Sequence, residues 1–151
     1  MVGSDITVLC VAAGKTYNLG GDDTVDCIKG TGTTATCRWF LVAGVGCIRK
    51  TFSGVISGSG GLRKQGSGTL TLSGTNTYTG STTISAGALT VSGVLSDSTA
   101  VSVASGKTYT LGGDDTVSSI SGAGNIATGG YILSAGAGDN STTFSGVISG
   151  S

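Results

Sequence analysis

Residues 1–59 slide onto residues 93–151 without a gap and agree at 35 positions, and the words GKTY, LGGDDTV and TFSGVISGS recur unchanged at an offset of 92. A repeat this long holds several smaller supersecondary units, and ~92 residues divide into about four coils of 20 to 25, the coil length of a solenoid. The duplication also decides how the beginning reads. MVGSDITVLCVAAGKTY contains a short apolar run like that of a leader, but no basic residue precedes it and Asp5 sits at its edge. In the second copy, Asp97, Thr99, Val101, Val103 and Gly106 take the places of Asp5, Thr7, Leu9, Val11 and Gly14. The run is therefore expected to be a strand.

Between the copies lies GGLRKQGSGTLTLSGTNTYTGSTTISAGALTVSG, residues 60–93. Leu70 and Leu72 alternate with Thr69 and Thr71, Ile84 follows Thr82 and Thr83, and Leu89 and Val91 alternate with Thr90 and Ser92. A period of two marks strands with one buried face. Gly66, Gly68, Gly74, Gly80 and Gly87 stand between these runs, the residues that let a chain turn with positive φ. The unit reads strand, turn, strand, turn, with Leu70, Leu72, Ile84, Leu89 and Val91 pointing inward.

This stretch resembles the passenger-associated transport repeat, also called the autotransporter-associated β-strand repeat. The residues that carry the likeness are Gly61, Leu62, Lys64, Gly66, Gly68, Leu70, Leu72, Ser73 and Gly74, then Tyr78, Gly80 and Thr83, then Gly87, Leu89 and Val91. The resemblance implies a right-handed parallel β-helix in the passenger of a Gram-negative secreted protein, exported by its own outer-membrane barrel. It places the chain outside the cell or on its surface. Passengers of this family are usually poor in cysteine, because a bridged loop hinders threading through a barrel; Cys10, Cys27, Cys37 and Cys47 depart from that pattern.

Composition agrees with a solenoid. The chain has 29 Gly, no Pro and 11% charged residues, yet 38% of it is hydrophobic, too much for a disordered Gly/Ser linker. Only 5% is aromatic, so the expected core is thin layers of Val, Ile, Leu and Ala. Each coil would bury its apolar face and pair its backbone only by stacking on neighbours about 4.8 Å away. About six or seven coils would form one single-domain rod, all-β and without helix. A closed barrel also suits short strands, but hairpins favour Asn-Gly or Asp-Gly turns and neither dipeptide occurs. No run approaches the ~18 apolar residues of a membrane-spanning helix.

The copies diverge most over residues 26–50, where only 9 of 25 positions match. Cys27, Cys37, Cys47, Trp39, Phe40, Arg38, Arg49 and Lys50 appear there against Ser119, Gly129, Asp139, Tyr131, Ile132, Gly130, Ser141 and Thr142. That patch reads either as a binding surface around Trp39 or as a coil that has drifted in a tolerant scaffold. The cysteines show no C-x-x-C spacing and the chain has no histidine, which speaks against zinc. The 20-residue separation of Cys27 and Cys47 would let them stack one coil apart, within disulfide reach.

Asp22-Asp23 and Asp114-Asp115 stand in the two copies of LGGDDTV. Paired carboxylates could hold calcium or serve as acid and base in a carbohydrate-active β-helix. The simpler expectation is a solvated turn, since Gly and Asp are turn residues, and no G-G-x-G-x-D repeat is present. Without histidine the usual nucleophile and base pairs cannot be assembled. Zero net charge removes the footprint of a nucleic-acid binder.

The expected role is thus structural, with no catalytic, cofactor or metal site: a fragment of a passenger acting as stalk or adhesin scaffold, with host surfaces or glycans as partners. A carbohydrate-active or carbohydrate-binding module using Asp22, Asp23, Asp114, Asp115 and Trp39 is the alternative. A surface-binding face of ranked Thr69, Thr71, Thr77 and Thr79 is a third reading. The sequence stops on TTFSGVISGS, words that lead in the first copy straight into GGL, so a further repeat is expected beyond it. Uncapped ends would leave Val147 and Ile148 at one end, and Val8 and Val11 at the other, less protected than the middle, and would favour end-to-end association.

Overall fold

The computed structural model describes residues 6–11, 13–18, 23–37, 41–43 and 49–150. Among them the chain forms eighteen short strands and no helix, and every strand pairing is parallel. Three faces recur in order along the chain. The first stacks β1 (Ile6–Val11), the end of β3 (Asp23–Gly30), β6 (Arg49–Phe52), β9 (Thr69–Leu72), β11 (Ala88–Val91), β13 (Thr108–Leu111), β16 (Asn125–Ala127) and β18 (Val147–Ser149). The second carries β2 (Thr16–Asn18), β4 (Thr33–Cys37) and β7 (Val55–Gly58), and higher up β14 (Asp115–Val117) and β17 (Leu133–Ala135). The third stacks the start of β3, β5 (Leu41–Ala43), β8 (Leu62–Lys64), β10 (Thr82–Ile84), β12 (Ala100–Val103) and β15 (Ser119–Gly122).

The molecule is a parallel β-solenoid, the class expected from its duplication and its glycine-punctuated short strands. Residues 49–150 wind through about five turns, close to the six or seven expected for the chain, and the described strands β1–β5 pair beneath them in the same columns. The duplication is visible in three dimensions. Val11↔Gly30 is repeated by Val103↔Gly122, and Thr34↔Ile56 by Ile126↔Ile148. Yet β1 lies on the first face and β12, its duplicate, on the third. The repeat therefore advances the chain by four turns and two further faces, setting the second copy one face out of step with the first.

Alternate residues fill the interior. Leu70, Leu72, Ile84, Leu89 and Val91 are all buried, and Leu70↔Leu89↔Tyr109↔Ile126 forms one inward column from coil to coil. Each such aliphatic side chain contributes about 1.5–3 kcal/mol by leaving water. The core is not confined to small aliphatics as composition suggested. Tyr78, Tyr109, Phe52 and Lys64 are among its largest wholly buried side chains. Val11 is also buried, 4% exposed, because Thr31 and Gly32 of the next coil donate their N–H groups to its carbonyl and cover it. The expected bareness of that end does not extend to Val11; the Val8 side chain lies outside the described residues.

Corners are built from glycine where coils approach closely. Gly30 and Gly122, duplicates of each other, have φ of 114° and 105°, and a Cβ on either would sit 2.1 or 2.2 Å from the carbonyl oxygen of Val11 or Val103. Gly54, Gly74 and Gly93 form a ladder in which each glycine lies over the carbonyl of the one a coil below. Only hydrogen fits there.

Candidate functional site

The side chains that could do chemistry lie where the second face bends inward. Between β7 and β14 this face has no strand, only an isolated bridge from Thr75 to Val94. Side chains replace the missing ladder. The Asn76 Oδ1 accepts the Ile56 N–H at 3.0 Å, and its Nδ2 donates to the Gly74 and Val94 carbonyls. Farther along the column, Asp115 Oδ1 accepts from Leu95 N–H at 3.0 Å and from its neighbour Thr116 at 3.1 Å. The Tyr109 hydroxyl donates to Asp115 Oδ2 at 2.9 Å.

A second buried polar group sits beside it. The Tyr78 hydroxyl and Thr82 Oγ1 are 2.6 Å apart, Thr82 and Thr99 share a bond of 3.1 Å, and Thr99 Oγ1 donates to the Gly80 carbonyl. Burial pushes the Tyr78 and Tyr109 phenols far above their ordinary range, with the nearby Asp115 charge adding to it, so both are fixed as neutral donors. Burial also raises the Asp115 carboxyl more than its three hydrogen bonds lower it, and Asp97 adds a small push in the same direction.

Asp114 and Asp115 are therefore not a carboxylate pair. Asp114 is exposed and accepts the Ile132 N–H at 2.8 Å, whereas Asp115 is 5% exposed and points into the core. The expectation of a solvated turn holds for Asp114 and is corrected for Asp115. Successive residues entering a strand face opposite ways, and Asp115 is in phase with buried Val117. That phase was the signal in the sequence. Asp22 and Trp39 lie outside the described residues, as does the Asp23 side chain; Asp23↔Leu41 repeats the Asp115↔Leu133 pairing.

Above the bend is an open groove of about 360 Å³ lined by Val94, Asp97, Asp114, Thr116, Ile132 and Ser134, with Leu95 and Asp115 at its floor. Its two exposed carboxylates belong to Asp97 and Asp114. No group of three or more metal-ligating side chains occurs among the described residues. Cys10 is an exposed free thiol; the Cys27 and Cys37 side chains and all of Cys47 lie outside the described residues, and with them the Cys27–Cys47 stacking.

The threonines are ranked, although not as one face. Thr51, Thr71, Thr90 and Thr110 follow one another in register on four successive coils of the first face, with Thr69, Ala88 and Thr108 beside them. Thr77 and Thr79 belong to the next face. The register-matched rank includes Thr51, Thr90 and Thr110, which sequence reasoning left out of the set.

Lys64 explains one letter of the repeat pattern. It alternates in phase with Leu62, is 0% exposed, and its Nζ donates to the Gln65 and Gly66 carbonyls at 2.7 and 2.9 Å. The amine closes the turn that separates two faces. Residues 62–91, which hold this lysine together with Asn76 and Tyr78, match the family model of the passenger-associated transport repeat. The chain carries a passenger-associated transport repeat. It is also 39% identical over 138 residues to the adhesin BmaC autotransporter of Brucella suis biovar 1 (strain 1330), an alignment covering 80% of this chain and 4% of that protein. No solved structure matches the chain.

Proposed function

We propose that this solenoid is a stalk segment of an autotransporter-like passenger, shown on the surface of a Gram-negative cell and non-enzymatic, with a cognate outer-membrane barrel in its parent protein. The observation that carries the reading is the transport repeat wound into a parallel solenoid, together with the likeness to an adhesin autotransporter. The buried polar groups support a mechanical role. Asn76 and Asp115 spend hydrogen bonds on the coil before them, and Tyr78 and Tyr109 spend theirs on side chains of their own coil, so these groups are engaged within the solenoid.

Adhesive contact falls to the regular outer surface, and the threonine rank of the first face is the part with the most order. Its hydroxyls recur at the coil spacing, ~4.8 Å, so weak contacts add along the rod. The carbohydrate alternative rests on the groove, where Asp97 and Asp114 could accept sugar hydroxyls. To test the reading, the chain is fused ahead of an outer-membrane barrel in a Gram-negative host, and whole cells are probed with protease and settled on glass and glycan-coated plates. Surface exposure with binding lost in Thr71→Lys/Thr90→Lys supports the adhesin scaffold. Retention in the periplasm, or binding that depends on Asp97 and Asp114 instead, overturns it.

A further inference from the structure

The upper end of the solenoid repeats a surface that is covered elsewhere in the same molecule. In the first copy, β5, β6 and β7 present Leu41, Ala43, Phe52 and Ile56 inward, all 0% exposed. They are covered by one continuous stretch: β8 lies on β5, β9 on β6, and residues 76–79 on β7. Ninety-two positions later, Leu133, Ala135, Phe144 and Ile148 are the same four residue types. Leu133 and Phe144 are only partly buried, Ala135 is exposed, Ile148 is 59% exposed and its neighbour Val147 is 60% exposed. β18 is the last strand of the first face and β17 the last of the second.

We propose that this end is a docking surface for one further transport-repeat unit of the residue 60–80 pattern, supplied in the same polypeptide of the parent protein. Two polar keys and one apolar strand set its register. A lysine in the place of Lys64 closes the turn over β17, a Leu-x-Leu strand like β9 lies on residues 141–144, and an asparagine in the place of Asn76 takes the Ile148 N–H as Asn76 takes that of Ile56. The same segment without its asparagine would cover the leucine and phenylalanine, but it would leave the Ile148 amide without an acceptor, at the point where β7 receives a side-chain oxygen and not a ladder carbonyl. The proposal does not depend on what the rod adheres to.

The test appends residues 60–93 after Ser151, so that Gly60 follows serine as it does after Ser59. Hydrogen exchange is followed at residues 133–135 and 147–149 in the original chain, the extended chain, an extension with Asn replaced by Leu at the Asn76 place, and a scrambled extension of equal composition. The extended chain is expected to slow exchange at these amides by on the order of tenfold or more, with the loss concentrated at Ile148 in the Asn→Leu extension. Unchanged exchange in the extended chain overturns the proposal, as does equal protection by the scrambled extension. Protection of residues 147–149 in the original chain, with a concentration-dependent dimer in light scattering, overturns it in favour of a second copy as the occupant.

Discussion

Asn76 and Asp115 occupy the same column of the second face, and each places Oδ1 at 3.0 Å from the N–H of the residue twenty positions earlier, Ile56 and Leu95 respectively. An amide and a carboxylate thus do the same work two coils apart, standing in for a ladder carbonyl where the face has no strand. The apolar residue between them is Leu95, buried at 2% exposure.

Because Asn76 shows that an amide serves in this geometry, Asp115→Asn is expected to keep the Leu95 and Thr116 bonds and to change stability by under about 1 kcal/mol. Asp115→Ala leaves the Leu95 amide and the Tyr109 hydroxyl buried without an acceptor and is expected to cost about 2–3 kcal/mol. Denaturant melts of the three proteins check this. Equal loss in both variants would mean that the negative charge, not the acceptor, is what the site uses.

The same carboxyl predicts a pH dependence. Its folded pKa is raised above the unfolded value of about 3.9, so between the two the folded state binds the extra proton. Its contribution is full below the unfolded pKa and is lost as pH rises through the folded one. Thermal melts from acid to neutral pH are expected to show Asp115→Asn gaining on the parent protein as pH rises, with Tyr109, Tyr78, Asp97 and Asp114 the other titratable groups around the site. A difference that is flat with pH would contradict the assignment.

The inward residues of the strands were legible because alternation is a short-range signal: Leu70, Leu72, Ile84, Leu89 and Val91 are buried as their spacing required. Asp115 was misread because Gly112 and Gly113 before it announce a turn, and the phase that ties Asp115 to Val117 begins only after that turn. Lys64 shares the phase of Leu62, yet charge argues for the surface unless its acceptors are known. Those acceptors are the carbonyls of its own turn. The Tyr78, Thr82 and Thr99 cluster joins residues up to 21 positions apart on successive coils, and no local pattern reports on it.

Lys64→Met keeps the length and packing of the stem but removes both hydrogen bonds from the turn carbonyls of Gln65 and Gly66. The expected cost is about 1–2 kcal/mol, with faster proteolysis between Gln65 and Ser67 than elsewhere in the solenoid. Mass spectrometry of limited digests locates the first cut. Unchanged stability and cutting would mean that water serves those carbonyls as well as the amine does.

Exposed Asp114 makes a clean comparison with its buried neighbour. Asp114→Ala removes one bond to the Ile132 N–H at the solvent-facing rim of the groove, where water can take its place. A change of no more than about 1 kcal/mol is expected, with no loss of surface attachment. Attachment or glycan binding that fell with this substitution would transfer the function from the threonine rank to the groove.

The glycine ladder gives the sharpest test of the stacked geometry. A Cβ at Gly74 would lie 2.1 Å from the Gly54 carbonyl oxygen and 2.9 Å from that of Ser53, both backbone atoms that cannot swing aside. Two coils would have to separate, loosening the Ser73 N–H bond to Phe52 and the Val94 N–H bond to Gly74 that flank the contact. Gly106 is the control: its φ of 73° disfavours a side chain, but no atom lies within 4 Å of the place its Cβ would take. Gly106→Ala is therefore expected to cost about 1 kcal/mol from backbone strain alone, and Gly74→Ala about 3 kcal/mol or more from overpacking. Circular dichroism melts of the two variants decide it: equal melting would place the coils farther apart at this corner than the solenoid described above requires.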